Sequence, residues 1–487
     1  MTKILGHLMQ LAGLQLVLAV TGLVRNKIIA MRLGVEGVGQ FTILFDLFTT
    51  IGVVVMFGLA VGLSRNVAAT GDHEERQKNL ANANFIIWAL TIAATIVVVL
   101  GFQLDYISLE RFQLQLTPTI LASVVLLLVS LPLKALEGNY IAFLTGIMDI
   151  KGMTSGRSVA VIAGTVLTVP IVWYFGFVGA ISQYLVLTLL LVVLLGHRCY
   201  KLGYRPWAIR WHRPTAYGLA FFGIASLTNS FFRDFSNLGI RTALINQVSL
   251  AENGLYSQAL LLTAQVKTIV LSSVASYSLA AISKDQSREN ISHTANQLLK
   301  AVLPIGALAG AALGVFSVPA LIILADSSFT SAAHYFPLLL AADFVQVFIW
   351  VIGAPLLALK MVRAWLVLDL IQWGARWALV VFLLPILGPQ AIVTAWFAAT
   401  LLHLCSNAYF YFGHLKFSLN KEHLVHLLAG LVLILVCSYL GATGLWQYII
   451  LAGLLWLGYL FWIIQIRIGV TQLPGLVKGF LKKRANA

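Results

Sequence analysis

The chain has 487 residues, of which 60% are hydrophobic and only 10% charged, and its formal net charge is +15. Soluble domains carry about a quarter charged residues, so this composition excludes an ordinary soluble protein and indicates a polytopic membrane protein. Its three cysteines, Cys199, Cys405 and Cys437, lie too far apart for metal-ligand or disulfide spacing and read as packing residues or free thiols.

Hydrophobic runs of about 20 residues follow one another along the chain, each long enough to span a bilayer as a helix. Fourteen spans are expected, at roughly 5–31, 40–63, 83–103, 118–143, 154–174, 177–196, 215–243, 253–279, 299–324, 335–358, 364–385, 390–413, 424–441 and 446–466. The first run has no small-residue cleavage motif after it, so it reads as a span and not as a removed signal peptide. The polar segments 66–80 and 283–298 read as short surface helices joining spans. The basic linker 197–214 reads as the main internal boundary, and no outer loop exceeds about 15 residues.

With a cytoplasmic N-terminus, the inner segments hold 23 of the 32 basic residues, and the outer segments hold four: Arg25, Lys27, Arg32 and Arg111. The positive-inside rule therefore puts both termini in the cytoplasm. Most of the net charge is topological; it draws the chain to anionic lipids of the inner leaflet and calls for no nucleic acid.

An internal repeat organises the spans. Gly39 and Phe41, entering span 2, match Gly254 and Tyr256, entering span 8. Ala180 and Ile181 match Ala391 and Ile392, and Lys151 matches Lys360. The fold class is thus all-α, with about fourteen transmembrane helices. Two parallel six-helix lobes, 1–206 and 207–415, are related by a pseudo-two-fold axis along the membrane normal. Two extra helices and a basic tail, 416–487, lie outside the repeat.

The stretch 221–244 is apolar enough to span yet carries Arg233, Asp234 and Arg241. Ser226, Ser230 (or Asn229), Arg233, Asn237 and Arg241 recur at helical spacing and share one face. Charge at membrane depth costs several kcal/mol unless it meets a cavity or a partner, so such a face is a candidate site. Alternatively, Arg233 and Asp234 satisfy each other or a neighbouring helix. Arg25, Lys267 and Arg376 complete a set of cations suited to phosphate, for which arginine offers a planar two-pronged fork. Arg241 has a second reading, as a side chain snorkelling to the outer surface. Lys134 with Glu137, and Asp369 with Gln372 and Arg376, read as structural networks. Asp46 and Asp343 have no cation nearby in sequence. A lone buried carboxylate exchanges protons near neutral pH, which makes both candidates for proton or sodium coupling unless another helix supplies a partner. Aromatic residues near the expected interfaces, Trp207, Trp211, Trp446 and Trp456 among them, fit a membrane belt. The ten histidines show no metal spacing, and there is no phosphate-binding loop, so no catalytic residue, metal or cofactor is expected.

The first span ends in Arg25-Asn-Lys-Ile-Ile-Ala-Met-Arg-Leu-Gly, followed by Val-Glu-Gly-Val-Gly-Gln-Phe. This resembles the start of the polysaccharide flippases of the multidrug/oligosaccharidyl-lipid/polysaccharide exporter superfamily. Glu252-Asn-Gly-Leu-Tyr-Ser-Gln-Ala resembles the matching signature of the second lobe, and the likeness covers about residues 1–415. It implies a V-shaped pair of lobes working by alternating access in a bacterial inner membrane. The implied cargo is a polyprenyl-pyrophosphate-linked glycan, such as an O-antigen, enterobacterial-common-antigen or exopolysaccharide repeat unit. A polysaccharide polymerase and a chain-length regulator are the implied partners, and an ion gradient the implied driving force. Fourteen spans depart from the twelve of shorter O-antigen members. They resemble the longer members and the lipid II flippases, in which spans 1, 7 and 8 line the cavity and the last two add a lipid groove. A lipid II flippase and a multidrug exporter stay open as alternatives. A membrane polysaccharide polymerase or ligase is a further one, although such enzymes carry a sizeable outer loop that this chain lacks.

Overall fold

The computed structural model describes residues 2–104, 109–359 and 361–468. Among them there are helices and no strands. In chain order these are α1 (Thr2–Met56), α2 (Leu59–Ala69), α3 (His73–Gln103), α4 (Pro118–Gly146), α5 (Ile150–Lys201), α6 (Arg213–Gln247) and α7 (Leu250–Lys284). They continue with α8 (Arg288–Val315), α9 (Ser317–Leu324), α10 (Phe336–Ala358), α11 (Val362–Leu387), α12 (Ala391–Ala408), α13 (Lys421–Ala442) and α14 (Trp446–Ile468).

Two of these are too long for one crossing. The 55-residue α1 breaks at Gly34 (φ 66°) and the 52-residue α5 at Gly176 (φ 54°), so each is a pair of spanning arms. Positive φ is cheap only for glycine, which is why both reversals fall there. The second arm of α1 continues as α2 past Phe57 and Gly58, both at positive φ, and α8 continues as α9. Counted this way, the fourteen expected crossings are present. Ten helices among the described residues are long and apolar enough to cross a membrane, α1 and α5 being two of them.

The surface helices expected at 66–80 and 283–298 do not form. Asp72 accepts hydrogen bonds from the backbone N–H of Glu74 and Glu75, so α3 starts just beyond it. Ser287 caps α8 by accepting from Asn290 N–H at 3.3 Å. Both polar stretches are mainly first turns of spanning helices, whose free N–H groups favour such caps. Lys360, matched by the repeat to Lys151, and the tail cations Lys478, Lys482, Lys483 and Arg484 lie outside the described residues.

Packing divides the chain into two compact units. The first comprises Met1–Gln258, Ile322–Thr330 and Met361–Ala399; the second comprises Ala259–Leu321, Ser331–Lys360 and Thr400–Ala487. These units follow packing, whereas the segments 1–206, 207–415 and 416–487 follow sequence similarity.

In the first unit, the glycines matched by the repeat meet. A Cβ on Gly39 would run into the Leu250 carbonyl oxygen, and one on Gly254 into that of Val35. The second arm of α1 and the start of α7 therefore cross backbone to backbone, as small residues permit in membranes. At the opposite end, Asp149 caps α5 through Gly152 N–H and accepts two bonds from Arg198, at 2.6 and 3.0 Å. That guanidinium holds the Asp149 carboxyl below the usual carboxylate range. The second unit packs α8, α10 and α13 through small residues too: a Cβ on Gly430 would meet Phe344 and Ala307. Trp456 is not purely lipid-facing there, since its indole N–H donates to Leu308 O at 2.7 Å.

Gly39→Ala is expected to destabilise the protein by about 1–3 kcal/mol, the usual cost of overpacking, in thermal unfolding of the purified protein. Gly374→Ala, at a site with no neighbour within 4 Å, is expected to be neutral or mildly stabilising. Asp149→Asn is expected to cost about 1 kcal/mol at pH 7, the upper range for a surface pair. Because the folded-state carboxyl lies below its unfolded value, that stabilisation is present above about pH 4. The gap between variant and parent is expected to close as pH falls further.

Candidate functional site

The first unit contains a continuous polar network in its spanning helices. Its centre is an ion pair between Asp46, on the second arm of α1, and Arg241 of α6, with Nε and Oδ2 2.5 Å apart. Arg241 also donates to Asn253 Oδ1 at 2.9 Å and to the Ser257 hydroxyl, one turn apart on α7. Asn253 in turn donates to Gly39 O at 2.8 Å and to the Thr42 hydroxyl at 3.1 Å. The bare backbone at the glycine crossing is thus what brings Asn253 within reach of α1.

Tyr256 links this pair to a second arginine. Its ring lies under the Arg241 guanidinium at 5.4 Å, and its hydroxyl accepts from Arg376 Nη2 at 2.8 Å. Arg376 further donates to Asn237 Oδ1 at 2.6 Å and sits 4.6 Å over the Trp396 ring. It is 4% exposed, and among the described residues no carboxylate pairs with it. Neutral oxygens and aromatic faces hold this cation. Along α6 and α11 the same register continues: Ser236 donates to Trp373 O at 3.2 Å and Asn229 to Asp369 at 2.9 Å.

Arg25 stands on the first arm of α1. Its Nη1 is buried with no hydrogen-bond partner. Its neighbours are fully engaged: Asn26 and Gln258 exchange amide hydrogen bonds at 2.8 and 3.1 Å, and Lys27 donates to Ile322 O at 2.8 Å. An orphaned guanidinium donor beside tightly satisfied groups is costly, which keeps Arg25 among the candidate site residues.

The second unit carries its own buried charge. Lys267 of α7 pairs with Asp343 of α10 at 2.6 Å. Asp343 Oδ2 and, one turn on, Gln346 Nε2 are buried without a hydrogen-bond partner.

Several sequence expectations are corrected by this geometry. Asp46 and Asp343 are not lone carboxylates, because Arg241 and Lys267 reach them from other helices. Arg241 does not snorkel; it is 8% exposed and fully engaged. The α6 face splits: Asn237 and Arg241 enter the network, whereas Arg233 is exposed and pairs with adjacent Asp234 at 2.7 Å. Lys134 and Glu137 do form the expected local pair, at 2.9 Å. Asn253, Ser257 and Trp396 were not singled out from the sequence. The four-residue spacing of Asn253 and Ser257, beside the matched Gly254, is a signal from which the first two could have been found.

No family model matches the chain. Two curated relatives, each called lipid III flippase, come from Escherichia coli K12 and Shigella flexneri. Each is 22% identical over 401 residues, covering 80% of this chain and 94% of the relative. Among solved structures, the lipid II flippase MurJ in an inward closed conformation superposes with a TM-score of 0.70 at 15% identity, over 94% of this chain and all of that one. A multidrug resistance MATE family transporter of the MOP superfamily matches in its inward-facing form with a TM-score of 0.66 at 15% identity, over 83% of this chain and 99% of that one. An outward-facing MATE structure gives 0.62 at 14% identity, over 84% and 95%. The chain therefore has the fold that these MurJ and MATE structures share. The proteins it resembles bear the names of flippases and transporters, not of enzymes.

Asp46→Ala and Arg241→Ala are each expected to destabilise the protein by about 3–5 kcal/mol, because each leaves a buried charge alone. The Asp46→Ala/Arg241→Ala double variant is expected to lose clearly less than the sum of the single changes, as read by a thermal-unfolding double-mutant cycle.

Proposed function

We propose that the chain is a flippase for a polyprenyl-pyrophosphate-linked oligosaccharide, carrying it from the cytoplasmic to the outer leaflet by alternating access. The observation that carries this reading is that two cations in the first unit, Arg25 with its orphaned donor and Arg376, make no ion pair among the described residues. An arginine fork matches phosphate oxygens, and a pyrophosphate supplies the charge that these two groups lack. Arg233 and Lys267 hold carboxylate partners that a stronger anion displaces on arrival, and Arg241 orients the network. Asp46 and Asp343 are the coupling candidates on this reading, each released when its cation turns to the substrate, with a proton or sodium gradient as driving force. Lobes at 1–206 and 207–415, a bacterial inner-membrane location and cytoplasmic termini belong to the same proposal. So does co-operation with a polysaccharide polymerase and a chain-length regulator in assembling O-antigen or a related surface glycan.

The likeness to lipid III flippases over 94% of their length supports a lipid-linked glycan as cargo. A lipid II flippase is the second reading, favoured by the MurJ match over 94% of this chain. A multidrug exporter for cationic drugs is disfavoured, since an unpaired buried arginine repels such cargo.

The test follows the sidedness of lipid-linked oligosaccharide in cells depleted of the protein. Accumulation on the cytoplasmic leaflet is expected, with rescue by the parent chain. Arg25→Ala and Arg376→Ala, at matched expression, are expected to lower rescue by about tenfold or more, the scale of one lost charged hydrogen bond. Arg25→Ala is expected to leave thermal stability unchanged. Unaltered sidedness with raised drug sensitivity contradicts the reading.

A further inference from the structure

The linker between α5 and α6 is a strap held by side chains from α3 and α4. Gly203 (φ 86°) turns the chain at the end of α5, and Tyr204 packs its ring on His73 at 4.2 Å. Gln77 and Arg205 exchange hydrogen bonds at 2.7 and 3.1 Å. Asn84 donates to Pro206 O and Ala208 O at 2.7 and 3.1 Å, and Tyr140 donates to Pro206 O at 3.1 Å. Asn82 donates to His212 O at 2.6 Å. An eleven-residue connection thus spends its polar backbone on the bundle and turns other side chains outward: Trp207, Ile209 and Trp211 are all more than half exposed.

Under the strap lies a cavity of about 680 Å³, walled by Trp88, Tyr140, Val193, His197, Tyr200 and Trp207. The helix faces beside it are apolar and outward, with Ile92, Leu189 and Val193 exposed, as surfaces in hydrocarbon are. Three cations, Lys201, Arg205 and Arg210, each adjoin in sequence a residue that lines the cavity: Tyr200, Pro206 and Ile209. All are exposed, and among the described residues none makes an ion pair. The nearby acids are occupied: Asp149 by Arg198, Glu74 by Lys78 at 3.0 Å, and Glu75 by the Thr70 hydroxyl at 2.7 Å.

We infer that this strap and cavity form a binding site for one anionic phospholipid, its acyl chain between Trp88, Val193 and Trp207 and its headgroup on Lys201, Arg205 and Arg210. The chemistry requires both halves. A soluble phosphate has no use for an aromatic, apolar wall opening towards hydrocarbon, and a zwitterionic lipid leaves the three cations without a counter-charge. Tryptophan and tyrosine at the rim suit the headgroup level of a bilayer, and each basic residue near an anionic lipid strengthens binding by roughly fivefold. The site stands apart from the arginine network and does not depend on what the protein transports.

Native mass spectrometry of the delipidated full-length protein tests this, with palmitoyl-oleoyl phosphatidylglycerol and the matching phosphatidylcholine as probes. Three headgroup-engaged cations make the expected preference for phosphatidylglycerol on the order of a hundredfold. The Lys201→Ala/Arg205→Ala/Arg210→Ala variant is expected to bring the preference within about twofold while phosphatidylcholine binding stays as it was. Arg205→Lys/Arg210→Lys keeps the charge and is expected to keep the preference. Trp207→Ala is expected to weaken both lipids alike. Equal binding of the two lipids by the parent protein overturns the inference, as does a preference that survives the triple alanine change. If the triple variant fails to fold, Trp207→Ala decides: binding of both lipids at the parent level overturns the site.

Discussion

The Asp46–Arg241 pair depends on two residues that have no side chains. Gly39 and Gly254 let the second arm of α1 lie directly on the start of α7, and a methyl group on either would meet backbone. That approach puts Asn253 against Gly39 O and Thr42, where its other amide atom accepts from Arg241. Arg241 is then fixed to face Asp46. Burying two charges in a membrane interior is tolerable only when each is paired and hydrogen-bonded, and the close backbone crossing is what supplies the partners. The rest of the network, Tyr256 to Arg376 to Trp396, grows from this fixed corner.

The cations fall into two electrostatic classes. Arg241, Lys267, Arg233 and Lys134 each lie against a carboxylate, at 2.5 to 2.9 Å. Among the described residues, Arg376 and Arg25 do not. A paired charge is self-sufficient and contributes a defined geometry; an unpaired one leaves a standing attraction for an anion. The same distinction holds around the α5–α6 connection, where Arg198 is committed to Asp149 while, among the described residues, Lys201, Arg205 and Arg210 make no ion pair.

Much of the fold was legible in the sequence because each helix advertises itself locally. Twenty-residue apolar runs, the glycines at 34 and 176, and the offset shared by Gly39 and Gly254 need no tertiary information. What the repeat did not say is that Gly39 and Gly254 touch; similarity records equivalence, not contact. The candidate site was legible as a set of residues but not as a set of bonds. Lys134 and Glu137 are three residues apart and were paired from spacing alone, whereas Asp343 lies on α10 and its partner Lys267 on α7. For the same reason Asp46 and Asp343 read as lone acids, and Arg233 and Arg241 as companions on one face. Adjacent Asp234 claims Arg233, and a distant aspartate claims Arg241. Trp396 carried no signal, since an apolar helix hides a cation–π partner among its packing residues.

The central claim is that Arg25 and Arg376 are held open for a pyrophosphate. The most direct measurement is equilibrium binding of farnesyl pyrophosphate and farnesol to the purified protein, before and after the Arg25→Ala/Arg376→Ala change. The account predicts that the parent binds the pyrophosphate about tenfold or more tighter than the alcohol, and that the double variant loses this preference while binding farnesol as before. Equal binding of the two probes by the parent, or a preference untouched by removing both arginines, would contradict it.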